Sequence, residues 1–339
     1  MKIGITYDLK ASVPVGTDLP DDFQEEFDSP ATIEAIADVL RDAGHEPVFL
    51  GDGPEMLRRV LADPVDLVFN IAEGHGVSRS REARVPAVLE MLGIPYTGSD
   101  PLTLATTLDK DCARRLVRSH GGLTPWGAVW EPGEDPAAWL ARHTMPYPVI
   151  VKPAWEGSSK GIRGKCVVDS AADLLAALVA RADQRQPLLV EEYIEGEELT
   201  VGVLGNAPPR VLGILRVVPT QVRSRFVYSL EVKRNYADHV RYECPPQLPA
   251  EQLAAVEQAA LLAYRCLGCR DVARIDFRLR DGLPYFLEVN PLPGLNPETS
   301  DLVILSTKSG LDHAGLIRGI LDAALRRATG LDIPPRSNS

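Results

Sequence analysis

The sequence lacks any excess of positive charge: Lys plus Arg total 36 against 47 Asp plus Glu, a net charge of −11. Sequence-independent affinity for nucleic acid comes mainly from Lys and Arg, so neither nucleic acid nor an anionic membrane face is an expected partner. Long apolar runs are also missing. Stretches such as Val65–Ile71 break off far short of the roughly 20 residues that a spanning helix needs. The opening Met1-Lys2-Ile3-Gly4-Ile5-Thr6-Tyr7 has no apolar leader core with a small-residue cleavage site, and a cytoplasmic location is expected. Cysteine is scarce. Five thiols, an odd number, do not make a disulfide framework. Cys266-Leu-Gly-Cys269 is spaced like a metal pair but has no second pair nearby, and reads as two small core residues. There is no internal repeat and no low-complexity segment. What remains is ordinary globular composition, 45% hydrophobic and 24% charged, in a chain of 339 residues, enough for about two domains or three small ones.

The first third alternates strand and helix. Lys2–Tyr7 reads as a buried strand, and Ser29-Pro30 as an N-cap followed by proline at the first helical position. Ile33, Ile36, Ala37 and Leu40 then recur at helical spacing until Gly44. Val48–Leu50 and Val65–Ile71 are further strand candidates, with a helix near Pro54–Leu61 between them. A helix through Val85, Val88, Leu89 and Leu92 stops at Gly93. Such alternation predicts a parallel sheet covered by helices. The middle third has a helix from about Asp109, short strands at Val149–Lys152 and Cys166–Val168, and a helix through Leu174 and Leu178. Beyond Leu188 strands dominate. The polar stretch 219–246, rich in arginine and tyrosine and carrying Lys233, is too long for an idle connection and predicts a mobile functional loop. A helix through Leu253–Leu267, the strand pair Ala273–Leu279 and Pro284–Asn290, and a helix through Leu316–Ala324 complete the chain.

The strand pair carries the most chemistry. Alternation puts Ile275, Phe277 and Leu279 on one face of the first strand and Arg274, Asp276 and Arg278 on the other. In the second strand Phe286, Glu288 and Asn290 share a face. A three-residue turn at Asp281–Leu283 would set Asp276 opposite Glu288 and Arg274 opposite Asn290, with side chains starting about 4.5–5.5 Å apart. Two carboxylates so placed repel unless a cation lies between them or one is protonated. With an amide oxygen they form the hard-oxygen set that Mg²⁺ takes when it also holds phosphates. The alternatives are solvated acids, or Asp276 neutralised by Arg274 or Arg278. Lys110, in the first turn of a helix, and Lys152, at a strand end, are each a phosphate ligand or an ordinary surface lysine. Glu156-Gly157-Ser158-Ser159-Lys160-Gly161 offers free backbone N–H groups that can wrap a phosphate. In Leu188–Thr200 five acids crowd a turn between two strands, where backbone can read adenine and an acid can bind ribose hydroxyls.

Together, Leu92-Gly-Ile-Pro-Tyr-Thr-Gly98, Leu108-Asp-Lys110, Val151-Lys152-Pro153 with Glu156-Gly-Ser-Ser159, Val190-Glu191-Glu192-Tyr193-Ile194 and the run Arg274–Gly294 resemble the ATP-grasp superfamily, and within it the D-alanine–D-alanine ligase family. The resemblance spans nearly the whole chain. It implies an α/β and α+β fold: three ATP-grasp subdomains with an N-terminal parallel-sheet (pre-ATP-grasp) domain, divided at 1–99, 100–190 and 191–339. It implies an ATP-dependent carboxylate–amine ligase that forms an amide bond between amino-acid-like substrates through an acyl phosphate. By resemblance Lys110, Lys152, Ser158 and Ser159 contact the ATP phosphates, Glu191, Glu192, Tyr193 and Ile194 line the adenine pocket, and Glu198 takes the ribose. Asp276, Glu288 and Asn290 match the family's ligands for Mg²⁺ or Mn²⁺. Arg274 and the Gly294 N–H match its oxyanion site, Ser158 helps place the first substrate, and Thr299 holds the second substrate's carboxylate. Lys233 belongs to a lid over the phosphates. A homodimer is expected from the family alone.

The donor side departs from the pattern. Tyr7-Asp8-Leu9-Lys10-Ala11-Ser12-Val13 replaces the glycine-rich strand exit and its acid, and an acidic insertion follows at 18–28; Asp8, or Glu25 or Glu26, could substitute for that acid, though none matches the motif. In Glu73-Gly-His75-Gly-Val-Ser-Arg79-Ser-Arg81-Glu82-Ala83, the segment expected to line the substrate with Glu73 and His75, Arg81 stands where an acid is expected. That exchange would favour a substrate bearing an extra carboxylate or phosphate. The alternative is that Arg79 and Arg81 pair with Glu73 or Glu82. Three readings are therefore open: a divergent ligase, a true D-alanine–D-alanine ligase, and a non-catalytic ATP-binding regulatory protein.

Overall fold

The computed structural model describes residues 1–10, 22, 24–157, 160, 166–181, 186–221 and 225–330. The N-terminal unit runs β1 (Lys2–Thr6), α1 (Pro30–Asp42), β2 (Glu46–Phe49), α2 (Gly53–Ala62), β3 (Leu67–Asn70) and α3 (Arg84–Leu92). Its three strands are parallel in the order β2-β1-β3, as the alternation predicts. Ser29 caps α1 by accepting from the Thr32 N–H at 3.2 Å, with Pro30 at the first helical position. Gly93 ends α3 at φ 69°, a left-handed conformation that suits glycine.

The middle of the chain is α4 (Pro101–Leu108), α5 (Lys110–Ser119), β4 (Gly127–Trp130), α6 (Pro136–Ala141), β5 (Val149–Pro153), β6 (Val167–Val168), α7 (Ala171–Val179) and β7 (Leu188–Glu192). Its sheet is antiparallel in the order β4-β7-β5-β6. The last part is β8 (Glu197–Leu204), β9 (Arg210–Pro219), α8 (Leu230–Arg234), α9 (Tyr236–His239), β10 (Val240–Glu243), α10 (Ala250–Cys266), β11 (Val272–Arg280), β12 (Leu283–Asn290), α11 (Asp301–Lys308) and α12 (His313–Ala328). Here the antiparallel order is β10-β9-β8-β11-β12. Among the described residues no helix is long and apolar enough to cross a membrane.

Packing cuts across the expected divisions. The boundary at 190/191 falls inside β7. Ala113 and Val117 of α5 pack with Val256, Ala260 and Phe286, so α5 covers the C-terminal sheet rather than the central one. Ile317, Ile320 and Leu321 of α12 complete the core built by Ile3, Ile5 and Ile36. The described part of the polar stretch 219–246 is not a plain loop. It folds into α8, α9 and β10, and β10 pairs with β9, because Val232 and Val240 find an apolar seat against Val217.

The β11–β12 hairpin reaches its expected pairing by an unexpected route. The turn has two residues, not three. Asp281 (φ 53°) and Gly282 (φ 77°) both sit left-handed, as a two-residue hairpin turn of matching twist requires. Arg280 therefore faces Leu283, and Phe277 faces Phe286. A bulge that takes up Leu287 then shifts the register, so that Asp276 faces Glu288 and Arg274 faces Asn290. This corrects the expected face of Phe286: it is buried beside Phe277, on the side opposite Glu288.

Candidate active site

The bulge brings Asp276, Glu288 and Asn290 onto one face with Arg274. The Arg274 guanidinium lies 3.0 Å from Asp276, 3.9 Å from Glu288 and 3.8 Å from Asp301. Thr200 donates to Asp276 Oδ1 at 2.8 Å, and the Asn290 amide to Oδ2 at 3.5 Å. Burial pushes the Asp276 carboxyl up despite Arg274. Glu288 goes the other way: burial works against its charge, but Lys110, Lys152 and Arg274 outweigh it and hold the carboxyl at about 2. One ionised and one restrained carboxylate with an amide oxygen are hard donors of the kind that take a divalent cation holding phosphate.

Lys110 and Lys152, 42 residues apart in sequence, converge on this point. Asp109 caps α5 by accepting from the Cys112 N–H at 3.0 Å, which fixes Lys110 in the first turn. Lys110 is 6% exposed, lies 3.4 Å from Glu288 and donates to the Glu156 carbonyl. Lys152 is equally buried and pairs with Glu191 at 2.7 Å. Neither is a surface lysine. The cavity beside them is lined by Lys152, Glu191, Glu192, Tyr193, Ile194 and Glu198, between the central and C-terminal sheets. Glu191 turns to Lys152, Glu192 to Arg280 at 2.6 Å, and Glu198 to Arg278 at 2.7 Å. Burial raises the Glu198 carboxyl. Lys233 of α8 stands over the Tyr228 ring at 5.0 Å and faces both this cavity and its neighbour. Ser158 and Ser159 lie outside the described residues.

The neighbouring cavity, about 390 Å³, shares Lys233, Glu288 and Asp301 with the first and adds Arg274, Gly294 and Thr299. Thr299 donates to Asn296 Oδ1 at 3.0 Å. The far wall is acidic: Glu25, Glu26, Asp28, Glu73, Glu82 and Glu156. Burial raises Glu73 well above the ordinary carboxylate range and brings both Glu82 and Asp28 to about 7. Arg81 is not a free cation for a substrate. It is 2% exposed, pairs with Glu26, lies 3.8 Å from Glu156, and donates to the Trp155 carbonyl at 2.8 Å. Burial opposes the Glu26 charge, but Arg81 and Lys160 together hold that carboxyl low. An extra substrate anion has no unpaired guanidinium to meet here, because the arginine is neutralised within the wall. Arg79 pairs with Asp109 at 2.8 Å, not with Glu73 or Glu82. His75 does not line the cavity: it faces Asp8 at 3.0 Å. Sequence reasoning missed Asp301, which sits by Arg274 and accepts from Tyr228 and Tyr242 at 3.2 Å each. No spacing signal marks it, since its partners come from three other segments.

Comparisons with known proteins bear on the chain as a whole. Residues 131–322 match the family model described as "D-ala D-ala ligase C-terminus". The chain is 34% identical over 295 residues to a D-alanine–D-alanine ligase of Anaeromyxobacter dehalogenans, covering 87% of this chain and 91% of that one. It is 33% identical over 308 residues to the uncharacterized protein y4sG of Sinorhizobium fredii, covering 88% of each. A solved D-alanine–D-alanine ligase of Bacillus anthracis superposes with a TM-score of 0.74 at 25% identity, over 98% of this chain and 99% of that one. The same enzyme complexed with ATP gives a TM-score of 0.72 at 24% identity, over the same shares.

Proposed function

The chain belongs to the D-alanine–D-alanine ligase family and is an ATP-dependent, ADP-forming ligase of amide bonds; from that premise we propose that it joins two amino acids, the first held by its ammonium against the acidic wall of Glu26, Asp28, Glu73 and Glu82. The meeting of Arg274, Asp276, Glu288, Lys110 and Lys152 at one point is the observation that carries this reading. A carboxylate is too poor an electrophile for an amine, so the ATP γ-phosphoryl is first moved onto its oxygen. Lys110 and Lys152 bind and orient the phosphates, and the lid residue Lys233 approaches them from α8. Asp276, Glu288 and Asn290 fit Mg²⁺ or Mn²⁺, which when bound neutralises phosphate charge. Glu191, Glu192, Tyr193 and Ile194 flank the base, and Glu198 reaches the ribose. The amine of the second amino acid, its carboxylate held at Thr299, attacks the acyl carbon. Arg274 and the Gly294 N–H stabilise the oxyanion until phosphate leaves. Closure of α8 and α9 over the cavity keeps water from the activated acyl group.

The wall is acidic, and a buried acidic wall favours a cationic group on the donor substrate. ADP release across panels of D- and L-amino acids, with mass detection of the product, tests this. Turnover with D-alanine alone makes the chain a D-alanine–D-alanine ligase. Turnover confined to donors without an amino group refutes the role given to the wall. ATP binding with no ADP under any pair leaves a regulatory protein.

A further inference from the structure

The carboxyl ends of the three parallel strands converge on a cluster outside the reaction site. Asp8 follows β1, Asp52 follows β2, and His75 lies in the connection from β3 to α3. This is the edge of a parallel sheet where ligands bind in α/β folds, because loops from successive strands meet there. Asp8 Oδ1, Asp52 Oδ2 and His75 Nε2 all lie within 4.8 Å of one another. The imidazole nitrogen is 3.0 Å from Asp8 and 4.0 Å from Asp52.

Two observations separate this group from a surface ion cluster. Asp8 is 2% exposed; its Oδ2 accepts from the Gly74 N–H at 2.8 Å, whereas Oδ1 is buried, takes no hydrogen bond and points at the His75 nitrogen. Asp52 occupies the N-cap of α2 yet makes no capping bond, although aspartate at that position ordinarily accepts from the first turn. Its carboxylate faces the cluster instead. In the tautomer that carries its proton on Nδ1, an imidazole presents Nε2 as a lone pair, and with that tautomer two carboxylate oxygens and one ring nitrogen converge as ligand atoms.

We propose that Asp8, Asp52 and His75 bind a divalent transition-metal cation, Zn²⁺ in kind, with a fourth position open to water or ligand. Two carboxylates and one imidazole form a mixed O/N set that suits zinc, and ligands about 2.0 Å from zinc stand roughly 3.3 Å apart in a tetrahedron, within the spread seen here. The His75 side chain is 45% exposed, which leaves an entry path. The site bears on the donor cavity through chain contacts. The Asp28 N–H donates to the Asp8 carbonyl at 2.9 Å, and the Phe27 ring packs on His75 at 5.1 Å. A bound cation therefore fastens the segment that carries Glu25 and Glu26.

The test is calorimetric titration of the full chain, stripped with chelator, with Zn²⁺ in excess Mg²⁺ so that the all-oxygen site at Asp276 and Glu288 is occupied. One equivalent is expected, with Co²⁺ giving the visible bands of an imidazole-bound, low-coordinate ion. His75→Gln and Asp52→Asn should each weaken Zn²⁺ binding by roughly a hundredfold or more, and Asp276→Asn should not. Asp52 makes no capping bond, so Asp52→Asn keeps the fold and the comparison stands even if Asp8 variants do not fold. Absence of saturable Zn²⁺ binding, or unchanged affinity in both variants, overturns the proposal and leaves the His75 ring simply paired with two carboxylates. The readout is independent of ligase turnover.

Discussion

The Arg274 guanidinium is held among Asp276, Glu288 and Asp301 at 3.0, 3.9 and 3.8 Å, with Lys110 sharing Glu288 at 3.4 Å. At an effective dielectric of about 20 the three Arg274 distances give an attraction on the order of 14 kcal/mol, before several kcal/mol per ion of desolvation is subtracted. Breaking such a buried set by removing one partner ordinarily costs about 3–5 kcal/mol. Arg274→Met should therefore lower unfolding free energy by that amount in chelator, because Asp276 then loses its counter-ion while Glu288 keeps only Lys110 and Asp301 only its tyrosine hydroxyls. Millimolar Mg²⁺ should restore part of the loss, since a divalent cation takes over the neutralisation. Arg274→Lys keeps the charge but loses the fork that meets Asp276 from both Nε and Nη2. It should fold, bind ATP nearly as before, and lose about 10²–10³ in kcat through the lost oxyanion donor. Urea titrations with and without Mg²⁺, beside coupled ADP-release kinetics, read both effects. An Arg274→Met chain as stable as the parent in chelator, or an Arg274→Lys enzyme within about threefold of parental kcat, refutes the reasoning.

Lys152→Met should cost about 3–5 kcal/mol by stranding the buried Glu191, and Lys152→Met with Glu191→Leu should recover much of it in a urea double-mutant cycle. Acid should destabilise through Glu288. Its carboxyl is depressed to about 2, so its contribution, on the order of 3 kcal/mol, is complete above pH about 4.5 and is lost as pH falls toward 2. Asp28, raised to about 7, has the opposite sign: stability falls as pH rises from about 4 through 7, and Asp28→Asn should raise the melting temperature at pH 8 but not at pH 4. Gly196→Ala should destabilise by more than about 3 kcal/mol, because φ is +146° and a Cβ would stand 2.0 Å from the Leu279 carbonyl; a urea midpoint measures it.

Local pattern in the sequence was enough for the strand–helix alternation of residues 2–92, the caps at Ser29 and Gly93, and the alternation that puts Arg274 and Asp276 on one face, because each depends on neighbours within a few residues. The motif run Arg274–Gly294 was likewise legible as a candidate ligand set. Only the tertiary structure decided how those side chains meet. The turn is one residue shorter than the pairing needs, and the Leu287 bulge restores the register, a choice set by burial of Phe277 and Phe286 rather than by the turn itself. Arg81 was only half legible in its own segment: Glu82 does lie 3.9 Å away, but its tighter partner Glu26 lies 55 residues away in an insertion. Distance along the chain likewise hides Asp301 beside Arg274, and the meeting of Asp8, Asp52 and His75. Periodicity reports which way a side chain faces within one element, while the Coulomb and desolvation energies that fix a charged group's role depend on residues brought near it by folding.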